Sequence, residues 1–126
     1  MKNILLIEDE PLIQRTLKLL LQKKGVNVTA TSTGKEAIEL ILNNTYDKII
    51  CDLMLQDITG FDIIEESKKV LNSDDISTTF VIITAYSSQE ILNKAKLYNC
   101  RIYSKPFTDV NLVIDNILRE QNDHED

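Results

Sequence analysis

Short apolar runs alternate along this chain with segments whose apolar residues recur every three or four positions. The runs are Ile4-Leu5-Leu6-Ile7, Lys48-Ile49-Ile50-Cys51, Phe80-Val81-Ile82-Ile83 and Arg101-Ile102-Tyr103-Ser104. Continuous apolar runs of this length predict strands buried on both faces, as in a parallel sheet. A fifth, shorter strand is predicted over Val26 to Ala30. Between the strands the period shifts to that of amphipathic helices. Ile13, Leu17, Leu20 and Leu21 form one stripe after Pro11, with Gly25 as its stop. Thr33-Gly34-Lys35-Glu36 resembles a capping box ahead of Ala37, Ile38, Ile41 and Leu42. Phe61, Ile64 and Leu71 mark a third helix, and Asn72 to Thr78 is polar enough to predict a loop. Ser87-Ser88-Gln89-Glu90 suggests a second capping box before Ile91, Leu92, Ala95 and Tyr98. Thr108 is placed to cap a last helix carrying Leu112, Val113, Ile117 and Leu118, before a polar tail from Gln121 to Asp126. Five strand–helix units in alternation predict an α/β doubly wound parallel sheet with helices on both faces.

Each long run ends on chemistry: Glu8-Asp9, Asp52, Thr84 and Lys105-Pro106. Ligands of open parallel sheets bind beyond the carboxyl ends of the strands. Three carboxylates, a hydroxyl and an ammonium are therefore expected to meet in one crevice. Close carboxylates repel unless a cation intervenes. Oxygen donors without nearby His or Cys favour Mg²⁺ or Mn²⁺ over zinc. A carboxylate is also a nucleophile toward phosphorus, and phosphoryl transfer asks chiefly for in-line positioning and neutralised oxygens. The metal would take one oxygen and Lys105 a second. The Thr84 hydroxyl, with the N–H of Ala85 or Leu53, would take a third. Pro106 cannot continue a strand ladder and is compatible with either peptide isomer.

Composition narrows the picture without changing it. At 126 residues the chain has the size of one domain, 1–120, followed by the short tail 121–126. Its net charge of −6 argues against direct nucleic-acid binding, which needs a basic stripe. No apolar stretch approaches a membrane span, no secretory leader precedes the first strand, and Cys51 and Cys100 form no metal or redox motif. A cytoplasmic protein is expected. His124, the one histidine, lies in the tail, so a phosphohistidine donor is expected to come from a partner.

Glu8-Asp9, Asp52, Thr84-Ala85 and Lys105-Pro106-Phe107, in this order and spacing, resemble the CheY-like receiver domain of two-component response regulators. The match runs from Lys2 to about Arg119. The resemblance implies a flavodoxin-like fold with five strands in the order 2-1-3-4-5 and five helices. It implies that Asp52 accepts a phosphoryl group from a sensor histidine kinase or a histidine phosphotransfer protein. It implies Mg²⁺ held by Asp9, Asp52 and the main-chain carbonyl of Met54, with Glu8 acting largely through water. Thr84 and Tyr103 would form a switch pair, and Lys105 would bind the phosphoryl oxygen. Two positions depart from the family pattern: Gln56 replaces a usual loop proline, and Asn99-Cys100 replaces a usual Gly-Ala.

Met54 and Tyr86 are expected to border the path of attacking water and to slow loss of the phosphoryl group. Asp57 and Asp62 read as solvent-facing, and Glu10 as a first-turn helix carboxylate. The chain stops after its last helix, so an output domain is expected to be a separate protein or a linked segment outside it. It would be a monomer, or a weak dimer through its fourth helix, fifth strand and fifth helix. Lys94, Lys96, Arg101, Asp109, Asp115 and Arg119 lie on those elements. Two other readings use the same fold: a small Mg²⁺-dependent phosphatase or phosphotransferase with Asp52 as nucleophile, and a non-phosphorylated interaction module. The first normally needs a second carboxylate two residues on, where Met54 stands.

Overall fold

The computed structural model describes residues 2–119. Their elements are β1 (Asn3–Ile7), α1 (Pro11–Lys23), β2 (Asn27–Thr31), α2 (Gly34–Asn43), β3 (Lys48–Asp52) and α3 (Gly60–Ser67). They continue with α4 (Ser73–Thr79), β4 (Phe80–Thr84), α5 (Gln89–Leu97), β5 (Arg101–Ser104) and α6 (Val110–Leu118). The tail from Gln121, including His124, lies outside the described residues.

All five strands are parallel, in the order β2-β1-β3-β4-β5. This is the CheY-like, flavodoxin-type arrangement that the family resemblance implies. Strand alternation sorts the core into two layers. Leu5, Ile7, Ile49, Cys51, Phe80 and Ile82 pack against Ala37 and Ile41 of α2, Ile63 and Ile64 of α3 and Ala95 of α5. Ile4, Leu6, Ile50, Val81 and Ile83 pack against Leu17 and Leu21 of α1 and Ile114 and Ile117 of α6. Cys51 thus lies on the face opposite Asp52, and burial pushes its thiol pKa well up. Both cysteines are free.

The register sets the strand ends side by side. Ile7 pairs with Cys51, Asp52 with Ile83, and Thr84 with Ser104. Glu8, Asp52, Thr84 and Lys105 therefore leave the same edge of the sheet.

Six helices form among the described residues where the sequence pattern predicts five. The addition is α4, in the segment read as a loop. Asn72 Oδ1 accepts the Asp75 N–H at 2.8 Å, Asp74 and Asp75 suit the first turn, and one apolar residue, Ile76, is buried. The Lys48 ammonium donates to the Thr78 carbonyl at 2.6 Å, near the end of that helix.

Other local expectations shift by a residue. Asp109, not Thr108, caps α6, its Oδ1 accepting the Leu112 N–H at 3.1 Å. That setting leaves Leu112 exposed and turns Ile114 into the core. Ser88 caps α5 through the Ile91 N–H, without a reciprocal Glu90 bond. Thr33 caps α2, but Glu36 turns its carboxylate to the Thr31 hydroxyl instead of completing a box. The full capping box joins Thr59 and Asp62 at α3. After α1, Gly25 adopts a φ of 83°, as its role as a helix stop requires. Asn99 takes the left-handed conformation after α5, with a φ of 55°.

Gly34 opens α2 directly beneath Ile58. A Cβ there would lie 2.3 Å from Ile58 Cγ1 and 2.6 Å from Cδ1. Gly34→Ala is expected to lower stability by about 1–3 kcal/mol in urea denaturation. Ile58→Ala in the same chain should recover part of that loss. Strictly additive losses would mean that this contact is not the cause.

Candidate functional site

Glu8 follows β1 and is fully buried. Its N–H donates to the Thr31 carbonyl at 3.1 Å, and the Gln14 side-chain amide donates to its carbonyl at 2.8 Å. Glu8 Oε2 accepts the Glu10 N–H at 3.1 Å. Asp52 ends β3 and is 4% exposed. Its Oδ1 accepts the Met54 N–H at 3.2 Å and its Oδ2 accepts from Lys105 Nζ at 3.3 Å.

Lys105 follows β5, where its N–H continues the ladder to the Thr84 carbonyl at 2.8 Å. Its peptide bond to Pro106 is cis. The Lys105 side chain is almost buried, with Nζ 2.7 Å from Glu8 Oε1 and 3.8 Å from Glu10 Oε1. Glu10 thus extends an exposed carboxylate to the rim of the site and makes no side-chain cap on α1.

The charges explain one another. Burial drives the Glu8 pKa up to about 7, with Asp52 adding to the rise and Lys105 and the Glu10 N–H opposing it. Burial alone would lower the Lys105 pKa, but Glu8 and Asp52 outweigh it and the net shift is upward. The ammonium therefore stays charged between the two carboxylates. The Glu8–Lys105 contact is an ion pair. Glu8 Oε1 is left buried without a hydrogen-bond donor.

Asp9 stands beside them, half-buried, and its Oδ2 accepts the Gln56 N–H at 3.1 Å. Glu8, Asp9 and Asp52 each present a carboxylate oxygen within 4.8 Å of the others. An all-oxygen donor set with an orphaned buried oxygen fits a hard divalent cation such as Mg²⁺ or Mn²⁺.

Thr84 is fully buried, and its hydroxyl oxygen accepts the Tyr86 N–H at 3.0 Å. The hydroxyl proton remains available to another acceptor. Tyr103 is half-buried against the α1–α6 layer, paired in register with Ile83. The Leu53 N–H, one of two amides considered from sequence as phosphoryl donors, is committed to the Ile83 carbonyl at 2.9 Å. The amide that faces Asp52 is that of Met54.

Asp57 is exposed, as expected, but it is not idle. Its two carboxylate oxygens accept the N–H groups of Gly34 and Lys35, at 2.9 and 3.0 Å. That bond, Gln14 and the Gln56 amide escaped the sequence reading. A main-chain donor leaves no mark in residue type. A loop Asp ahead of a capped helix was the available signal for Asp57, and the missing loop proline was that for Gln56.

With this geometry the family follows. The receiver domain model of response regulators matches residues 4–115, so the chain belongs to the response regulator receiver domain family. The response regulator SaeR of Staphylococcus aureus is 31% identical over 121 residues, covering 94% of this chain and 51% of that protein. The chain thus spans about half the length of that curated relative. The Francisella response regulator 1452 receiver domain superposes with a TM-score of 0.80 at 26% identity, covering 97% of this chain and 99% of that one. The Thermotoga maritima response regulator TrrA, in complex with Mg²⁺–BeF, gives a TM-score of 0.74 at 25% identity, covering 94% and 98%. A CheY-like receiver domain from Methanospirillum hungatei gives 0.86 at 21% identity over 99% and 97%, a likeness of fold. No described helix is long and apolar enough to cross a membrane.

The raised Glu8 pKa sets a pH dependence. A carboxyl whose native pKa lies above its unfolded value stabilises the fold below the unfolded pKa, and that contribution is lost as pH rises through the native one. In metal-free protein, the melting temperature of wild type relative to Glu8→Gln should fall between about pH 4.5 and about 7, then level off. A flat difference across that range would contradict the buried, proton-retaining Glu8.

Proposed function

We propose that this domain receives a phosphoryl group on Asp52 from a phosphohistidine of a sensor histidine kinase or histidine phosphotransfer protein. The observation that carries this reading is the meeting of Lys105 Nζ with Glu8 and Asp52, at 2.7 and 3.3 Å, beside Asp9. An Asp52 carboxylate oxygen attacks phosphorus, and the imidazole leaves with the electron pair of the broken P–N bond. Lys105 offers its ammonium to one phosphoryl oxygen, exchanging part of its contact with Asp52. Thr84 offers its hydroxyl proton to another, and the Met54 N–H holds Asp52 in place.

Glu8, Asp9, Asp52 and the Met54 carbonyl are the groups assigned to Mg²⁺, with Mn²⁺ as a substitute. The bound cation would neutralise phosphoryl oxygen charge. The likeness to TrrA, solved with Mg²⁺–BeF, supports this assignment.

The added negative charge and its oxygens bias a two-state equilibrium. Thr84 moves toward the phosphoryl group and Tyr103 turns to fill the space beside β4. The α5–β5–α6 face changes shape for a downstream protein, a linked output segment or a weak dimer. Asp115, one residue assigned to that face, already pairs with Lys24 of α1 at 2.8 Å, which restrains α6. In this reading the domain is a signalling module of the cytoplasm, comprising residues 1–120, whose catalysis is confined to its own phosphorylation and dephosphorylation.

Incubation with Mg²⁺ and acetyl phosphate should add one hydroxylamine- and alkali-labile phosphoryl group, detected by mass. Asp52→Asn and omission of the cation should each abolish it. Labelling of Asp52→Asn, or turnover of a small phosphate ester without labelling, would contradict this function.

Met54 and Tyr86, 46% and 59% exposed, are the residues assigned to border the path of attacking water. Met54→Asn is expected to speed loss of the label, measured as its half-life after donor removal. An unchanged half-life would exclude shielding by Met54.

A further inference from the structure

The loop from Leu53 to Thr59 is tied down along its length. The Leu53 N–H joins it to β4, and the Gly60 N–H donates back to the Leu53 carbonyl at 2.7 Å. In its middle, Asp57 bridges the Gly34 and Lys35 amides of α2, and Ile58 fills the space above Gly34. Between these anchors, the Gln56 N–H reaches 47 positions back in sequence to Asp9 Oδ2, at 3.1 Å.

Among the described residues this is the hydrogen bond made by the Asp9 carboxylate, and it occupies one oxygen only. The other remains for a cation. Outer-shell donors of this kind fix the orientation of a ligating carboxylate, and their removal typically weakens metal binding by about 10–100-fold. A proline, the residue usual at this position in the family, has no N–H to give. The sequence departure at Gln56 and the contact to Asp9 are therefore one feature.

We propose that Gln56 is a positioning residue for the divalent cation: its main-chain N–H holds Asp9 in ligating orientation, and the Asp57 grip on α2 holds that N–H in place. The inference rests on the reading of Asp9 as a metal ligand. It also makes α2 a part of the metal site's support, although no side chain of α2 reaches the carboxylates. Cation binding tightens the loop against α2, because both share the segment from Gln56 to Ile58.

The test uses the full chain, Mg²⁺ titration by calorimetry, and hydrogen exchange of the Gln56 amide followed by NMR. The Gln56 amide should be protected without Mg²⁺ and more protected with it. Gln56→Ala retains the N–H and should keep the wild-type Mg²⁺ dissociation constant within about twofold. Gln56→Pro should raise it by about tenfold. Because proline also restricts Leu55, an amide-to-ester replacement at residue 56 removes the N–H alone and should give a similar rise.

An ester variant that folds and binds Mg²⁺ as tightly as wild type overturns the proposal. So does a Gln56 amide exchanging at the unfolded-chain rate with and without Mg²⁺, or a Gln56→Ala loss equal to that of the ester. Failure of wild type to bind Mg²⁺ removes the metal site and this inference together. Tight wild-type binding with an indifferent ester removes the positioning role alone.

Discussion

The Lys105 ammonium, lodged between Glu8 and Asp52, is the contact on which the rest of the site depends. Two carboxylates at nearly zero exposure repel one another and lose their hydration. One ammonium at about 3 Å from each offsets much of that cost, yet the pair still carries more negative than positive charge. Burial, with a smaller contribution from the Asp52 charge, makes Glu8 hold its proton more tightly than an exposed carboxyl would. A receiver domain is thus built with a deficit of positive charge at the strand ends. Such a deficit is one that a hard divalent cation would offset.

Much of this was legible in the chain because the decisive groups are side chains at the ends of apolar runs. Glu8, Asp9, Asp52, Thr84 and Lys105 each follow or end a strand, and a parallel sheet delivers strand ends to one edge. The order 2-1-3-4-5 rested on family resemblance, and the strand pairing bears it out. What the sequence hid had physical reasons. The helix α4 has seven residues and one buried apolar side chain, so it carries no periodic signal. Its stability comes from the Asn72 cap and from Lys48, a residue far away in sequence. Helix caps moved by one position because Ser, Thr and Asp compete for the same role and the backbone decides. The Gln56 N–H left one mark in the sequence, the missing loop proline, while its partner Asp9 was set by the fold.

The two layers of the core divide the labour. The layer under α2, α3 and α5 holds the loop that follows Asp52, through Gly34, Ile58 and the Thr59–Asp62 box. The layer under α1 and α6 holds Tyr103, on the side away from that loop. The loop after Asp52 and the Tyr103 ring are therefore supported by different packing.

The strand order carries a consequence for how the domain comes into being. Its site draws on the ends of β1, β3, β4 and β5, and neighbours across the sheet are separated by whole helices in sequence. Lys105 arrives with the last strand to be made. Until β5 docks, Glu8 and Asp52 have no ammonium between them, and a chain short of that step holds a frustrated pair of acids in place of a receiver. The assembled site is then a report that folding has finished, because no fragment ending before β5 contains Lys105.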